Sequence, residues 1–504
     1  MKQRIFLSGP TGAMGFPAMK ALLEDIDEIE LVVLARPSEK NKKILKPFSG
    51  IAGLTVVWGE LTNYDDLKTC VKNADIALHV GALVSPNADY HPELTMQTNY
   101  GSMVNIIRAV KELNQTEKTH LVFIGTVAQA GERTPPIHWG RTGDPIKPAI
   151  LDYYAVSKTA AERYMIESGI KYWTSLRQTG IIGPVMVKIN DAIMFHNGLD
   201  NVLEYVSDRD SAALLRNLCR KERHGLLDGN FWGNIFNIGG GESCRISTFD
   251  FYKKLFGLIG IKKLSHVMDS KWSALRNFHG QYYLDSDKLN NILSFRSDSL
   301  EYLYKVFLDS QGAAAAASKI LTKLPGFQKI IGSVIKKRFH KLTKGENGTV
   351  RFIENNMEEL IDVYWGSKEA YQAIPRIDDF IPFSDFDKVI HIEHGYDEQK
   401  NEADLNLSDV KEAAKFRGGQ CLSSDMKTGN WTEKLKFRCA FNHDFEASPL
   451  LILKGGHWCS VCERESWNYH ERAKADPFFA QVWYPLHNKN EKSRVYKKLY
   501  AGML

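Results

Sequence analysis

A chain of 504 residues is too long for one ordinary core, so two or three domains are expected. With 43% hydrophobic and 25% charged residues it has the composition of a soluble globular protein, and its longest apolar runs fall well short of the roughly 20 residues of a membrane span. A net charge of +5 is too small for this length to argue for nucleic acid.

The N-terminus runs straight into an apolar strand, Arg4–Ser8, which leaves no room for a signal peptide and sets the cytoplasm as the expected compartment. Next come a glycine turn (Gly9–Gly15), a helix (Phe16–Glu24) and a second strand, "IELVVLA" at 29–35. Further buried strands are read at 54–58, 74–80 and 120–125, with helical stretches such as "YGSMVNIIRAVKEL" between them. This alternation predicts an α/β Rossmann fold, a doubly wound parallel sheet whose ligands sit at the carboxyl ends of the strands.

The first turn, "GPTGAMG", suits a dinucleotide pyrophosphate. Gly9 permits the bend, Gly12 the approach of the phosphates, and Gly15 close packing of helix on strand. The alternative is a plain strand-to-helix turn. The second strand ends "LARPSEK", with Arg36 near the ribose position and no carboxylate before Glu39. An Arg there fits a 2′-phosphate, so NADP is expected and NAD is the alternative. Farther on, "YYAVSK" sets Tyr154 and Lys158 on one face of a helix. A neighbouring ammonium is expected to lower the phenol pKa and let Tyr154 exchange a proton with a substrate hydroxyl or carbonyl.

The order of segments gives these spacings their weight. "SGPTGAMG", "WGELTN", "LHVGALV", "TNYGSMVNII", "FIGTVAQAG", "YAVSK" and "LRQTGIIGP" resemble, in sequence, the motifs of the extended short-chain dehydrogenases/reductases. The resemblance covers residues 1 to about 300 and includes "VSDRDSAALLRNL" on the substrate side. It implies that Tyr154 is the proton donor or acceptor, that Thr126 bonds the substrate oxygen, that Lys158 binds the nicotinamide ribose, and that Asn99 supports a relay water. It implies dinucleotide contacts at Gly9, Thr11, Gly12, Ala13, Met14, Gly15, Arg36, Glu60, Leu61, Gly81, Ala82, Lys158, Thr179, Gly180 and Ile181. The chain departs from the pattern at Glu60 (usually Asp), Gly125 (usually Ser), Gln129-Ala130 (usually Val-Tyr) and Gln178 (usually Pro). The expected activity is an NADP-dependent oxidoreductase acting on a small or medium-sized carbonyl or hydroxyl compound. An NAD-dependent sugar-nucleotide epimerase/dehydratase is the first alternative, and a nucleotide-sensing binding protein acting through a zinc module the second.

After this domain (1–298), residues 299–404 read as a mainly helical extension and linker. Between Ser310 and Gly345 there is no acidic residue but there are eight Lys/Arg, and Phe327, Ile330, Ile331, Val334 and Ile335 recur at helical spacing. Such a helix can lie on an anionic membrane, with 319–344 as the contact, or cover the substrate domain with its lysines solvated. The second reading is favoured here, because most amphipathic helices pack on cores. "YDEQKNEADLNLSD" reads as an exposed linker.

Residues 405–504 concentrate four of seven cysteines: Cys421, Cys439, Cys459 and Cys462, with His443 nearby. Clustered thiolates, ending in CxxC after Gly455-Gly456, favour zinc over a redox pair. The segment resembles treble-clef, zinc-ribbon-like domains, which implies a structural zinc on the four cysteines with His443 as alternate. Nucleic-acid binding by this module is not favoured, and homodimerisation is left open.

Overall fold

The computed structural model describes residues 2–503 apart from 228 and 230. Seven parallel strands form the central sheet: β1 (Gln3–Ser8), β2 (Ile29–Ala35), β3 (Leu54–Trp58), β4 (Ile76–His79), β5 (His120–Thr126), β6 (Trp173–Gln178) and β7 (Asn234–Ile238). Their spatial order is β7-β6-β5-β4-β1-β2-β3, so the chain reverses direction across the sheet between β1 and β4. β1, β4 and β5 are buried almost throughout, as strands covered on both faces must be.

Five helices matter to the site: α1 (Gly15–Leu23), α2 (Tyr64–Val71), α3 (Ser102–Glu112), α4 (Tyr153–Ile166) and α5 (Asp208–Arg223). Ala18, Met19 and Leu22 of α1 and Leu214, Leu215 and Leu218 of α5 build the core on one sheet face. On the other, Leu67, Ile106, Ile107 and Met165 of α2, α3 and α4 pack on Phe6, Phe123 and Leu121. α4 and α5 begin on side-chain caps, Asp152 accepting from Ala155 N and Ser207 from Asp210 N. α1 starts at Met14 with no side-chain cap. Its first-turn N–H groups therefore have no side-chain acceptor where the turn meets the crevice.

The helical extension holds a hairpin, α6 (Ala313–Leu321) and α7 (Phe327–Thr343), packed on the substrate-side core around Phe195, Tyr252 and Phe256. The C-terminal region follows with α8 (Leu407–Phe416), a three-stranded antiparallel sheet of β8 (Gln420–Cys421), β9 (Leu435–Arg438) and β10 (Asp444–Ala447), and the short helix α9 (Ser460–Glu465). The segment expected as an exposed linker is pinned at its margins. His394 is buried 2.9 Å from Asp144, and Leu405 and Asp409 are buried on the C-terminal core, while Asp397–Gln399 and Asn401–Asp404 stay exposed.

Candidate active site and metal cluster

Parallel strands bring their carboxyl ends to one edge, and the sequence-predicted contact residues gather there. The glycine turn follows β1, Arg36 follows β2, Glu60 and Leu61 follow β3, Gly81 and Ala82 follow β4, Thr126 closes β5, and Thr179–Ile181 follow β6. The crevice is sized by absent side chains. A Cβ on Gly9 (φ +71°) would stand 2.6 Å from Gly81 Cα, and one on Gly15 would stand 2.0 Å from Gly9 O. At Gly12 the nearest atom would be Gly9 O, 3.4 Å away, which leaves that glycine facing open space. Backbone packed this closely, open at Gly12 and ending on an uncapped helix, fits a pyrophosphate.

His79, unnoticed in the sequence reading, holds the two turns together. It is fully buried, with Nδ1 3.0 Å from Ser8 Oγ and Nε2 2.9 Å from Ser102 Oγ, and Ser8 Oγ accepts from Gly81 N at 2.9 Å. Burial, and secondarily the charge of Lys158, lowers its pKa to about 3, so it is a neutral imidazole. The signal was present in "LHVGALV", where the histidine itself was passed over.

Thr126, Tyr154 and Lys158 come together at the ends of β5 and α4. Lys158 is 1% exposed; its Nζ donates to Ile124 O at 2.8 Å and stands 4.7 Å from the Phe123 ring centroid. Burial lowers its pKa to about 7. The Tyr154 phenol moves up to about 12, through burial first, with hydrogen bonding by Thr126 opposing and the Asp152 charge adding. This corrects the expectation of a lowered phenol pKa: desolvation dominates, and Lys158 is not among the groups that shift the phenol. Asn99 is saturated, with Oδ1 accepting from Leu83 N (2.8 Å) and Nδ2 donating to Leu83 O and Ser157 Oγ (both 2.9 Å). It ties the loop after β4 to α4.

Two departures from the family pattern prove to be one. Gln129 Oε1 accepts from Thr126 N at 2.9 Å and lies 2.7 Å from where a Cβ on residue 125 would be. Gly125 makes room for the glutamine that fixes Thr126.

Beside the turn leading into Tyr154 lies a cavity of about 240 Å³, walled by Ser85, Asp89, Asp152, His196, His279 and Tyr364 among others. Asn347, Phe352 and Tyr364 of the helical extension form its far side, and among the described residues no Lys or Arg lines it. Burial and the neighbouring Asp152 raise Asp89 to about 7, so this carboxyl holds its proton near neutrality.

One turn beyond Lys158, α4 meets the C-terminal region. Glu162, fully buried, accepts from Arg177 Nη2 (2.6 Å), Arg177 Nε (3.1 Å) and Ser175 Oγ, and lies 3.0 Å from His457 Nε2. Arg163 donates to Trp458 O and Glu463, Glu167 accepts from Ser448, and Arg177 donates to Gly455 O. The C-terminal region is thus docked on the back of the helix that carries Tyr154.

In that region Cys439, His443, Cys459 and Cys462 bring their ligand atoms within 4.8 Å of one another. Cys439 Sγ and Cys462 Sγ are 3.9 Å apart, and His443 Nδ1 is 3.3 Å from Cys462 Sγ and 3.7 Å from Cys459 Sγ. These spacings match the edges of a tetrahedron with metal–sulfur bonds of ~2.3 Å. Backbone N–H groups of Phe441 and Cys462 point at Cys439 and Cys459 Sγ. Crowding makes only the first thiol easy to ionise, Cys439 falling well below the usual range while Cys459 and Cys462 rise. A divalent cation removes that conflict, so the donor set fits zinc. Cys421 is not in the group. It lies in β8, paired with Phe437 of β9, and its sulfur is not among the four ligand atoms brought together. The alternate His443 stands in the place expected for Cys421.

Residues 5–206 match the model of the NAD dependent epimerase/dehydratase family. The match falls on the glycine crevice and on Thr126, Tyr154 and Lys158, and ends before the helical extension. The N-terminal domain is that of an NAD(P)-dependent enzyme. No curated protein matches the chain at a significant level. Among solved structures, DesIV, a dTDP-glucose 4,6-dehydratase from Streptomyces venezuelae with NAD and DAU bound, is 18% identical, covering 62% of this chain and 98% of its own at a TM-score of 0.48. The UDP-Glc/GlcNAc 4-epimerase from Campylobacter jejuni is 16% identical, covering 61% and 98%, with a TM-score of 0.45.

Proposed function

We propose that the N-terminal domain performs epimerase/dehydratase-type chemistry, in which hydride leaves a substrate carbinol and is returned within one turnover. The observation that carries this reading is the coincidence of the family match with the Gly9–Gly81 crevice and the Thr126–Tyr154–Lys158 group. A bound NAD would supply the hydride acceptor and donor. Tyr154 exchanges the proton at the substrate oxygen, Thr126 orients that oxygen, and Lys158 supplies a buried cation that titrates near neutrality. His79 and Asn99 position the turns and α4.

Two observations favour a second reading, a single-pass NADP-dependent reductase of a compact substrate. Arg36 is exposed beyond β2 and makes no ion pair among the described residues, as a 2′-phosphate ligand would be before binding. The cavity beside Asp152 has two aspartates and, among the described residues, no Lys or Arg in its walls, which does not suit a nucleotide diphosphate. Native mass spectrometry before and after dialysis separates the two. NAD retained through dialysis supports the first reading, and exchangeable binding that prefers NADPH supports the second. Absence of any dinucleotide overturns both.

Cys439, His443, Cys459 and Cys462 hold one structural zinc in this reading. Metal analysis of single variants tests it: Cys421→Ser keeps one zinc per chain, and His443→Ala loses it.

A further inference from the structure

The α6–α7 hairpin shows a second face that the body of the protein does not use. Ile331, Ile335, Phe339 and Leu342 of α7 pack inward on the core around Phe195 and Phe256. Gly332 lies so close to His266 that a Cβ would approach its Cβ to 2.7 Å. The helix is therefore seated tightly, and Lys336 and Arg338 fasten it further to Ser265 O and Asn190 Oδ1. Ile330 and Val334, expected from their spacing to share the packed face, point outward instead, 58% and 67% exposed. Across the turn Ile320 is 66%, Leu324 51% and Leu321 40% exposed. Single exposed apolar residues need no explanation, but five between residues 320 and 334 make a patch.

Its rim is of one sign. Lys319, Lys323, Lys329, Lys337 and Lys341 are exposed and form no ion pair among the described residues, and the sequence from Ser310 to Gly345 offers no carboxylate. The hairpin itself offers nothing acidic to a protein partner of mixed charge. No described helix is long and apolar enough to cross a membrane, but 17 residues of α7 lying flat are about 25 Å of contact. We infer that this hairpin docks on the surface of an anionic phospholipid bilayer. The five aliphatic side chains enter the boundary between headgroups and acyl chains, and the lysines meet the lipid phosphates and carboxylates. The exposed face is the one that α7 does not use to pack on the core, so docking leaves those packing contacts in place.

Co-sedimentation of the full-length protein with vesicles tests this. With phosphatidylserine and phosphatidylcholine in equal parts, the protein is expected to pellet with the vesicles. With phosphatidylcholine alone or in high salt, binding should fall by about tenfold or more. The double variant Ile330→Glu/Val334→Glu should lose binding to a similar degree of about tenfold or more with an unchanged melting temperature, since neither side chain is packed. Lys323→Glu/Lys337→Glu, which keeps every aliphatic group, should weaken it as well. Three results overturn the inference. They are no binding to the mixed vesicles, equal binding by the Ile330→Glu/Val334→Glu variant, and sedimentation showing that this variant dissociates a dimer while vesicle binding is absent, which would make the patch a contact between two copies.

Discussion

Lys158 and Glu162 are one helical turn apart on α4 and equally buried, yet their surroundings are opposite. Lys158 has a single carbonyl acceptor and an aromatic face, with no carboxylate partner, and its pKa has dropped to about 7. Glu162 is enclosed by Arg177, Ser175 and His457, and its carboxyl is held far below the usual range despite its burial. One helix thus presents an uncompensated charge to the crevice and a compensated one to the C-terminal region. Stability is built at the second position, and chemical readiness is kept at the first.

If the Cys439–His443–Cys459–Cys462 cluster holds zinc as proposed, its removal should disturb the surroundings of Glu162 most. A structural zinc contributes on the order of 10 kcal/mol to the domain it organises. Chelation is expected to abolish hydrogen-exchange protection in Leu435–Ala447 and to weaken it at Glu162–Glu167, while Tyr154–Lys158 keeps its protection. Equal loss along the whole helix would show that the two positions are not separable. Tyr154→Phe acts at the crevice alone. Turnover should fall about 10²–10⁴-fold, with dinucleotide affinity and melting temperature nearly unchanged, as read from single-turnover assays and titration.

Glu162→Ala leaves the buried Arg177 guanidinium without its carboxylate, while His457 keeps Glu463, and should cost about 3–5 kcal/mol in urea unfolding. Lys158→Met should do the reverse. The folded-state pKa of about 7 lies below the unfolded value of about 10.4, so the folded state carries the full cost of a buried charge below pH 7. That cost vanishes as the pH rises toward the unfolded value. The variant is therefore expected to melt higher than the parent at pH 6–7, with the gain shrinking by about 1.4 kcal/mol per pH unit above that, while losing activity. A gain independent of pH would assign the effect to packing instead. The smallest effect concerns Thr126. Gly125→Ala should destabilise by about 1–3 kcal/mol through its clash with Gln129, and adding Gln129→Ala should recover most of the loss in a double-mutant cycle.

Much of the N-terminal half was legible in the sequence, because a parallel sheet puts the carboxyl end of every strand at one edge. Once "RIFLS" and "IELVVLA" were read as strands, the residues after them had to meet. The sign of the Tyr154 shift was not legible, because spacing fixes that Lys158 is near but not how dry the site is. Gly125 and Gln129 could be seen only as two separate departures, since a side chain folding back on the backbone leaves no periodic trace. His443 and Cys421 could not be ranked from spacing, and only the folded chain gathers His443, rather than Cys421, with the other three ligand atoms.

By itself, then, the amino-acid order determined the doubly wound sheet, the glycine crevice, the Thr126–Tyr154–Lys158 group and the presence of a thiolate cluster. Each is a local pattern whose meaning survives in any tertiary setting. Which four atoms form the cluster, that the C-terminal region grips the back of α4, and that Ile330 and Val334 face outward were decided only in three dimensions. Periodicity tells which residues share a helix face, and only the packing of the whole chain tells what, if anything, covers it.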